Sequence, residues 1–222
     1  MCSQKKSKKN DNDRLICSVA TWFLVALFAL QLVNVPLQNN LPDKNLGENN
    51  TFHASKDPLT SNYQTSYPIY INGPQEMTDF FAGKGYDGTA ENPYVIENLK
   101  IVLNSSSPES GITIYSTTAH LIIRNCWIIN GSLNAKNGIQ LQGCTNVTIE
   151  NCRAENNKYG VYLHSCSNTT IRDNTLHDNN YGLNLVSSQC LVRDNTIKNN
   201  NQGIYSSYSY DCEILDNEIT NN

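Results

Sequence analysis

Short runs of alternating apolar and polar residues recur along the second half of the chain. In the run from Gly160 to His164, Val161 and Leu163 fall on one side and Tyr162 and His164 on the other, which is the period of a β-strand. Glycine-led runs of this kind start at Gly138, Gly160, Gly182 and Gly203, at spacings of 22, 22 and 21 residues. Short strands bounded by Asn, Asp, Ser or Gly, with a repeat of about 22 residues, are typical of the coils of a β-solenoid.

The apolar residues of successive repeats fall into three columns. The first contains Ile96, Ile123, Ile149, Ile171, Val192 and Ile214. The second contains Ile101, Ile128, Ala154, Leu176, Ile197 and Ile219, and the third contains Ile112, Ile139, Val161, Leu183 and Ile204. We expect each column to point inward with its members about 4.8 Å apart, so that a coil buries its apolar face only against its neighbours.

A polar column follows the first apolar one. It begins with Leu99, Cys126 and Cys152 and continues with Asn174, Asn195 and Asn217. Asn tolerates the left-handed backbone conformation of sharp turns, and stacked amides can hydrogen bond to one another. The pattern predicts a structural ladder of Asn side chains at a turn.

Two repeated patterns resemble a known family. They are D-N-x-I, as in Asp194 to Ile197, and N-N-x-x-G-I, as in Asn199 to Ile204. They resemble the right-handed β-helix repeats of the pectate-lyase-like superfamily, above all the NosD-type and the carbohydrate-binding and sugar-hydrolase repeat proteins. The segment from Gly85 to Asn98 resembles the entry segment of such repeats, so the resemblance covers residues 67–222. It implies an all-β, right-handed parallel β-helix but no single function, because the superfamily contains lyases, hydrolases, epimerases, adhesins and metal-site assembly factors.

One apolar block lies near the N-terminus. Residues 15–35 contain no formal charge, and a helix of that length spans the roughly 30 Å hydrocarbon core of a bilayer. Lys and Arg residues precede the block, which places the N-terminus in the cytoplasm. The sequence therefore predicts a single-pass membrane protein with its repeats outside the cytoplasm. The alternative is a signal peptide cleaved after Ala29, which gives a secreted protein.

These features divide the chain into five segments. They are a cytoplasmic basic tail at 1–14, a transmembrane signal-anchor at 15–35, a flexible linker at 36–66, an N-terminal cap at 67–93 and β-helix repeats at 94–222. The sequence stops at Asn222 within a turn. A fragment, a truncated product and end-to-end association with another chain are the alternatives for this uncapped end.

The outward positions of the glycine-led strands are the first candidate site. The residues are Tyr115, Gln140, Gln142, Tyr162, His164, Asn184 and Tyr205. Tyr rings combine flat apolar faces with a polar edge, so this mixture suits sugar rings, and the family resemblance implies polysaccharide binding along the outside of the stack. The alternative is an ordinary exposed strand. The net charge of −4 and the pI of about 5.5 argue against nucleic acid as a partner.

Acidic residues form the second candidate. Asp173, Asp194 and Asp216 occupy one column, where mutual repulsion raises a pKa or invites a cation such as Ca²⁺. The alternative is that each Asp caps a turn or faces water, which leaves the protein without a cofactor.

His177 beside Asp178 imitates an acid–base pair, although a solvated surface His is the simpler interpretation.

Six cysteines fall in pairs that are one coil apart. The pairs are Cys126 with Cys152, Cys144 with Cys166, and Cys190 with Cys212. A spacing of about 4.8 Å is within the range of disulfide-linked Cα atoms, and an exported protein meets oxidising conditions. The alternative is a column of buried thiols.

These predictions favour a membrane-tethered extracytoplasmic protein that recognises carbohydrate or serves the cell envelope or adhesion. A carbohydrate-active enzyme, such as a polysaccharide lyase, a glycoside hydrolase or a uronan epimerase, is one alternative. A purely structural or assembly module is another. The sequence contains no complete catalytic motif, so the binding interpretation precedes the enzymatic one and no residue is assigned a catalytic role.

Overall fold

The computed structural model describes residues 63–131 and 135–222. The predicted basic tail, the membrane segment at 15–35 and nearly all of the predicted linker lie outside the described residues. Within the described part of the chain, no helix has the length and apolar character needed to cross a bilayer.

The described residues form short strands and one helix. The strands are β1 (Gln64–Ser66), β2 (Ile69–Asn72), β3 (Tyr94–Glu97), β4 (Leu99–Val102), β5 (Ile112–Tyr115), β6 (Leu121–Arg124), β7 (Trp127–Ile129), β8 (Ile139–Gln142), β9 (Thr145–Glu150), β10 (Arg153–Glu155), β11 (Tyr159–His164), β12 (Ser167–Arg172), β13 (Thr175–His177), β14 (Tyr181–Val186), β15 (Cys190–Arg193), β16 (Thr196–Lys198), β17 (Gln202–Ser207), β18 (Glu213–Leu215) and β19 (Glu218–Thr220). The helix is α1 (Gly73–Phe81).

Every third strand joins the same parallel sheet, which makes the fold a parallel β-helix. Sheet 1 has the order β1-β4-β7-β10-β13-β16-β19, sheet 2 has the order β2-β5-β8-β11-β14-β17, and sheet 3 has the order β3-β6-β9-β12-β15-β18. The register places Val161 beside Ile139 and Leu183, so equivalent repeat positions are direct neighbours. The β-solenoid predicted from the repeat is confirmed.

The three predicted apolar columns form the core. Ile123, Ile128 and Ile139, one from each column, have no exposed surface. Ile214 and Ile219 take the same positions in the last described coil and are 43% and 46% exposed. Each coil is therefore covered by the coil that follows it, as expected for a stack of repeats.

The glycines at the start of β5, β8, β11 and β14 are required by close backbone approach. A Cβ atom on Gly160 would lie 2.6 Å from the carbonyl oxygen of Gly182, and a Cβ on Gly182 would lie 2.6 Å from that of Gly203. These distances are well inside van der Waals contact, so any side chain would force the coils apart. The repeat thus starts with glycine because two backbones touch there.

The Asn ladder connects the turns between sheets 3 and 1. The Oδ1 atom of Asn195 accepts hydrogen bonds of 2.9 Å from the backbone N–H and from Nδ2 of Asn174. Asn217 accepts equivalent bonds from Asn195. Asn195 also donates 2.9 Å from Nδ2 to the carbonyl oxygen of Ile171. Each amide therefore satisfies buried backbone groups of two coils.

The sequence analysis assigned the left-handed backbone conformation to the ladder Asn residues themselves, and this was wrong. Positive φ values belong to the residue before each ladder position, with 58° at Asp173, 56° at Asp194 and 51° at Asp216. Asn and Asp enter the left-handed region more easily than other side chains. The acidic column is therefore the turn column, and the Asn residues beside it supply the hydrogen bonds.

A second ladder connects the turns between sheets 1 and 2. The backbone N–H groups of Asn157, Asn179 and Asn200 each donate 2.9 Å to Oδ1 of the next Asn, ending at Asn222. Sequence analysis missed this ladder, although its members also recur once per repeat. Two of the three corners of the solenoid are thus closed by stacked amides.

The solenoid begins earlier than the predicted boundary at residue 94. β1 pairs with β4 and β2 pairs with β5, so residues 64–72 already belong to sheets 1 and 2. α1 follows and buries Met77 and Phe81, and the Phe81 ring stacks on Tyr94 with 4.5 Å between ring centroids. This helix closes the apolar interior beside the first coil.

Replacing Asn195 by Ala should destabilise the protein by about 3 kcal/mol, because the Asn174 N–H and the Ile171 carbonyl would lose buried partners at about 1–3 kcal/mol each. The measurement is chemical denaturation followed by circular dichroism. Asn201→Ala is the control, since Asn201 is an exposed turn residue, and it should cost less than about 0.5 kcal/mol. Equal effects of the two substitutions would contradict the ladder's role.

Candidate functional site

The outer face of sheet 2 differs from the other two faces because its strands carry no Asp, Glu, Lys or Arg. Sheet 3 carries Glu97, Arg124, Glu150, Arg172, Arg193 and Glu213, and sheet 1 carries Lys100, Arg153, Glu155, Lys198 and Glu218. Parallel strands in register project equivalent positions outward from every coil. The charge-free repeats therefore produce one continuous uncharged surface.

Tyrosine rings follow one another along this face, which we call the tyrosine face and define by Tyr70, Tyr115, Tyr159, Tyr162, Tyr181 and Tyr205. Ring centroids are 5.7 Å apart for Tyr70 and Tyr115. They are 5.2 Å apart for Tyr159 and Tyr181, and 6.0 Å apart for Tyr181 and Tyr205. The rings support one another at their edges, which holds them in place along the stack.

Three members of the tyrosine face were missed by sequence analysis. Tyr159 and Tyr181 directly precede the repeat glycines Gly160 and Gly182, and that position is the signal that could have found them. Tyr70 lies in β2, which sequence analysis assigned to the cap.

Amide and hydroxyl groups lie between the rings. The Nε2 of Gln140 donates a hydrogen bond of 2.8 Å to the Tyr115 hydroxyl, and its Oε1 accepts one of 2.8 Å from Nδ2 of Asn137. The Oγ1 of Thr113 and the Oδ1 of Asn184 are buried and have no hydrogen-bond partner among the described residues. Buried polar atoms normally find a partner in protein or in ordered water. Both atoms lie beneath the surface of the face, shielded from bulk solvent.

A cleft lies where the sheet 2 strands turn toward sheet 3. It has a volume of about 490 Å³ and contains Tyr115, Gln142 and His164 of the predicted sugar face, with Asn72 and Ser165 at its edge. The other predicted residues, Gln140, Tyr162, Asn184 and Tyr205, belong to the same sheet but do not line this cleft.

The phenols of Tyr115 and Tyr162 stay protonated at neutral pH. Partial burial raises the pKa of Tyr162, and burial followed by repulsion from Tyr70 and Glu109 raises the pKa of Tyr115. Both hydroxyls can therefore donate and accept hydrogen bonds. The arrangement can hold a ligand through ring faces and hydroxyl contacts.

The acidic column is arranged differently from the predicted cation site. Asp173 forms an ion pair of 3.0 Å with Arg172, and Asp194 forms an ion pair with Arg193. Across the ranges 63–131 and 135–222, no group of three His, Cys, Asp or Glu side chains could hold a metal ion. The left-handed turn and the neighbouring Arg residues account for Asp at these positions.

His177 belongs to a network on the outer face of sheet 1. Its Nε2 lies 2.9 Å from Glu155 and its Nδ1 lies 2.6 Å from Asp178. Glu155 also accepts a hydrogen bond of 2.8 Å from the Trp127 indole and one of 2.7 Å from Arg153. Because carboxylates occupy both ring nitrogens, neither is open to a substrate. Sequence analysis missed Glu155, although the repeat register places it directly beside His177.

All six described cysteines are free thiols. The thiols interact within the three pairs expected from the repeat, Cys126 with Cys152, Cys144 with Cys166, and Cys190 with Cys212. Five of the six are buried, and Cys212 is partly exposed. Burial raises the pKa of the Cys152 thiol. The disulfides expected between coils stay a prediction.

Comparison with known proteins identifies the family. The family model described as a right handed beta helix region matches residues 81–222, well over half of the chain. The chain belongs to this family. The handedness predicted from the repeat resemblance is thereby confirmed for this β-helix protein.

Neither of the other comparisons identifies an activity for the β-helix protein. No curated protein matches its sequence. A similar solved structure is a protein from Parabacteroides merdae, provisionally described as a glycosyl hydrolase, with 14% identity over 70% of this chain and 81% of that chain. Its TM-score of 0.33 is too low for the likeness to carry an argument.

Replacing Glu155 by Ala should destabilise the β-helix by about 3 kcal/mol, because the partly buried Arg153 and His177 would lose their shared carboxylate. Denaturant unfolding followed by Trp127 fluorescence measures the change. Glu218→Ala is the matched control, since Glu218 is an exposed carboxylate on the same sheet. Unchanged stability in the Glu155 variant would show that the network contributes nothing.

Thiol accessibility should follow burial. We expect iodoacetamide to modify Cys212 first in the native protein and to reach Cys126 and Cys152 only after denaturation, because both of these thiols are buried and burial also raises the pKa of Cys152. Mass spectrometry of timed samples provides the measurement. A pair that resists alkylation after denaturation, and reacts only after reduction, would instead be a disulfide.

Proposed function

We propose that this β-helix protein recognises carbohydrate on the tyrosine face. The observation that carries the proposal is the continuous uncharged outer face of sheet 2, where tyrosine rings alternate with amide and hydroxyl groups. Sugar rings have apolar faces and hydroxyl rims, and they need both kinds of contact from a protein. Tyrosine rings stand on five of the six strands, with amide and hydroxyl groups between them, and such a surface fits this kind of ligand.

Two features make the tyrosine face suitable for binding. Tyr70 and Tyr205 are each 44% exposed, so ring surface is available near both ends of the face. Gln142 is exposed and lines the same cleft as Tyr115. A sugar hydroxyl that bonds to this amide would bring its ring close to a tyrosine. Polar groups thus fix orientation while the rings contribute apolar contact.

The cellular setting forms part of the proposal. Residues 15–35 would hold the protein in the membrane with the solenoid outside the cytoplasm, or a cleaved signal would release it. Recognition there would serve attachment to an envelope or to a surface glycan. The repeats would then belong with the NosD-type and carbohydrate-binding repeat proteins of the pectate-lyase-like superfamily, which they resemble. Sequencing the N-terminus of the mature protein from membrane and secreted fractions distinguishes anchor from cleaved signal.

The enzymatic alternative has less support from the site. His177, the one histidine beside a carboxylate in the sequence, has both ring nitrogens engaged by Glu155 and Asp178. His164 lines the cleft of the tyrosine face, and its near neighbour there is the hydroxyl of Ser165, at 3.4 Å from Nδ1. A general acid and base around a glycosidic bond would require two positioned carboxylates, and the strands of sheet 2 carry none.

The test is a glycan array probed with the full chain in mild detergent, with polysaccharides assayed in parallel for new reducing ends or unsaturated products. We expect binding without turnover. The double substitution Tyr162→Ala, Tyr205→Ala should weaken binding about tenfold or more, which corresponds to about 1.4 kcal/mol.

Tyr67→Ala is the control for this test, because Tyr67 is 90% exposed but lies outside the sheet 2 strands. It should leave the affinity unchanged. Turnover would make the protein an enzyme, and the absence of any binding would leave a structural module as its function.

A further inference from the structure

We infer that the glycan bound by the tyrosine face is a neutral oligosaccharide chain that lies along the solenoid axis and crosses successive strands of sheet 2. This inference rests on the proposed carbohydrate recognition and specifies its ligand class. It follows from two features of the face: the absence of cationic residues on its strands and the length of the row of rings.

Charge is the first feature. Acidic glycans carry carboxylate or sulfate groups, which proteins bind with Arg or Lys through charge-assisted hydrogen bonds. The six strands of sheet 2 contain neither residue. An anion placed on this face would lose water without gaining a cationic partner, which is unfavourable. A ligand without charge has no such penalty.

The charged side chains at the margin of the face carry both signs. Glu109 lies close enough to Tyr115 to raise the pKa of its phenol by repulsion. Lys158 precedes Tyr159, and its Nζ lies 4.8 Å from the centre of that ring, and Lys136 donates to the carbonyl oxygen of Pro108. The neutral ligand class therefore rests on the strands of sheet 2 and not on their margin.

The length of the row is the second feature. Tyr70 lies in the first strand of sheet 2 and Tyr205 in the last, with four strands between them. At about 4.8 Å per strand the row extends about 24 Å. A monosaccharide would contact one or two rings, whereas a chain of several sugars would contact rings in successive coils. Affinity should therefore rise with chain length until the ligand spans the row.

The experiment measures the affinity of the full chain in mild detergent for two length series by isothermal titration. The neutral series is cello-oligosaccharides, xylo-oligosaccharides and manno-oligosaccharides of two to six sugars, and the acidic series is oligogalacturonates of the same lengths. We expect binding to at least one neutral series, an affinity gain of about tenfold or more from the shortest to the longest ligand, and no binding of the acidic series. Neutral binding should change by less than about twofold when salt is raised, since no charges are paired across the interface.

A charge placed on the face provides a second measurement. Gln142 is exposed and lines the cleft, so substitution there should not disturb folding. Gln142→Lys should give oligogalacturonates measurable, salt-sensitive affinity, whereas the matched variant Gln142→Glu should not.

The outcomes separate this inference from the function on which it rests. Salt-sensitive oligogalacturonate binding by the unchanged protein, lost in the Tyr162→Ala, Tyr205→Ala variant, would overturn the neutral ligand class and keep carbohydrate recognition. Neutral binding that does not depend on chain length would overturn the axial arrangement. Failure of both series, together with an empty glycan array, would overturn the proposed function itself.

Discussion

Contact between backbones of successive coils is the constraint on which this β-helix depends. The coils approach so closely at the repeat glycines that a Cβ atom on Gly138 would lie 2.5 Å from the carbonyl oxygen of Gly160. Parallel strand pairing continues on both sides of this contact, and stacked Asn amides close two of the corners. An apolar column and an amide ladder are stable only when every coil repeats the same register. The sequence repeat is the direct consequence of this geometry.

The same constraint leaves the outward positions free. Inward residues must match the coil above and the coil below, but outward residues meet solvent and can vary without opening the stack. Sheet 3 places Glu and Arg in neighbouring strands, as with Glu97 and Arg124 at 2.7 Å. On sheet 1, the Glu155 carboxylate contacts the His177 imidazole and the Trp127 indole. Sheet 2 carries only neutral strand residues and the tyrosine face. One scaffold thus presents three chemically different surfaces. The tyrosine face of sheet 2 is the one whose chemistry the fold does not require.

The turns explain residues that would otherwise indicate a binding site. A row of aspartates in successive coils resembles a cation site, yet Asp173, Asp194 and Asp216 occupy left-handed turn positions, where Asn125 and Asn151 stand in earlier coils. Asp and Asn share a tolerance for that conformation, and neighbouring Arg residues pair with two of the aspartates. The repetition of Asp therefore has a backbone cause. No such cause accounts for tyrosine on an outward strand position.

The sequence by itself determined the solenoid, the inward columns and the pairing of cysteines, because a fixed repeat converts a spacing along the chain into a contact between coils. It also predicted Tyr115, Gln142 and His164 as one group, since they share a repeat position. Only the tertiary structure decided which outward side chains turn toward one another and which segments outside the clearest repeats join the sheets. It joined Glu155 to His177 and Trp127, placed Tyr159 and Tyr181 on the tyrosine face, and included β1 and β2 in the sheets. These contacts depend on side-chain direction and on insertions that shift the repeat, and alternation along a single strand records neither.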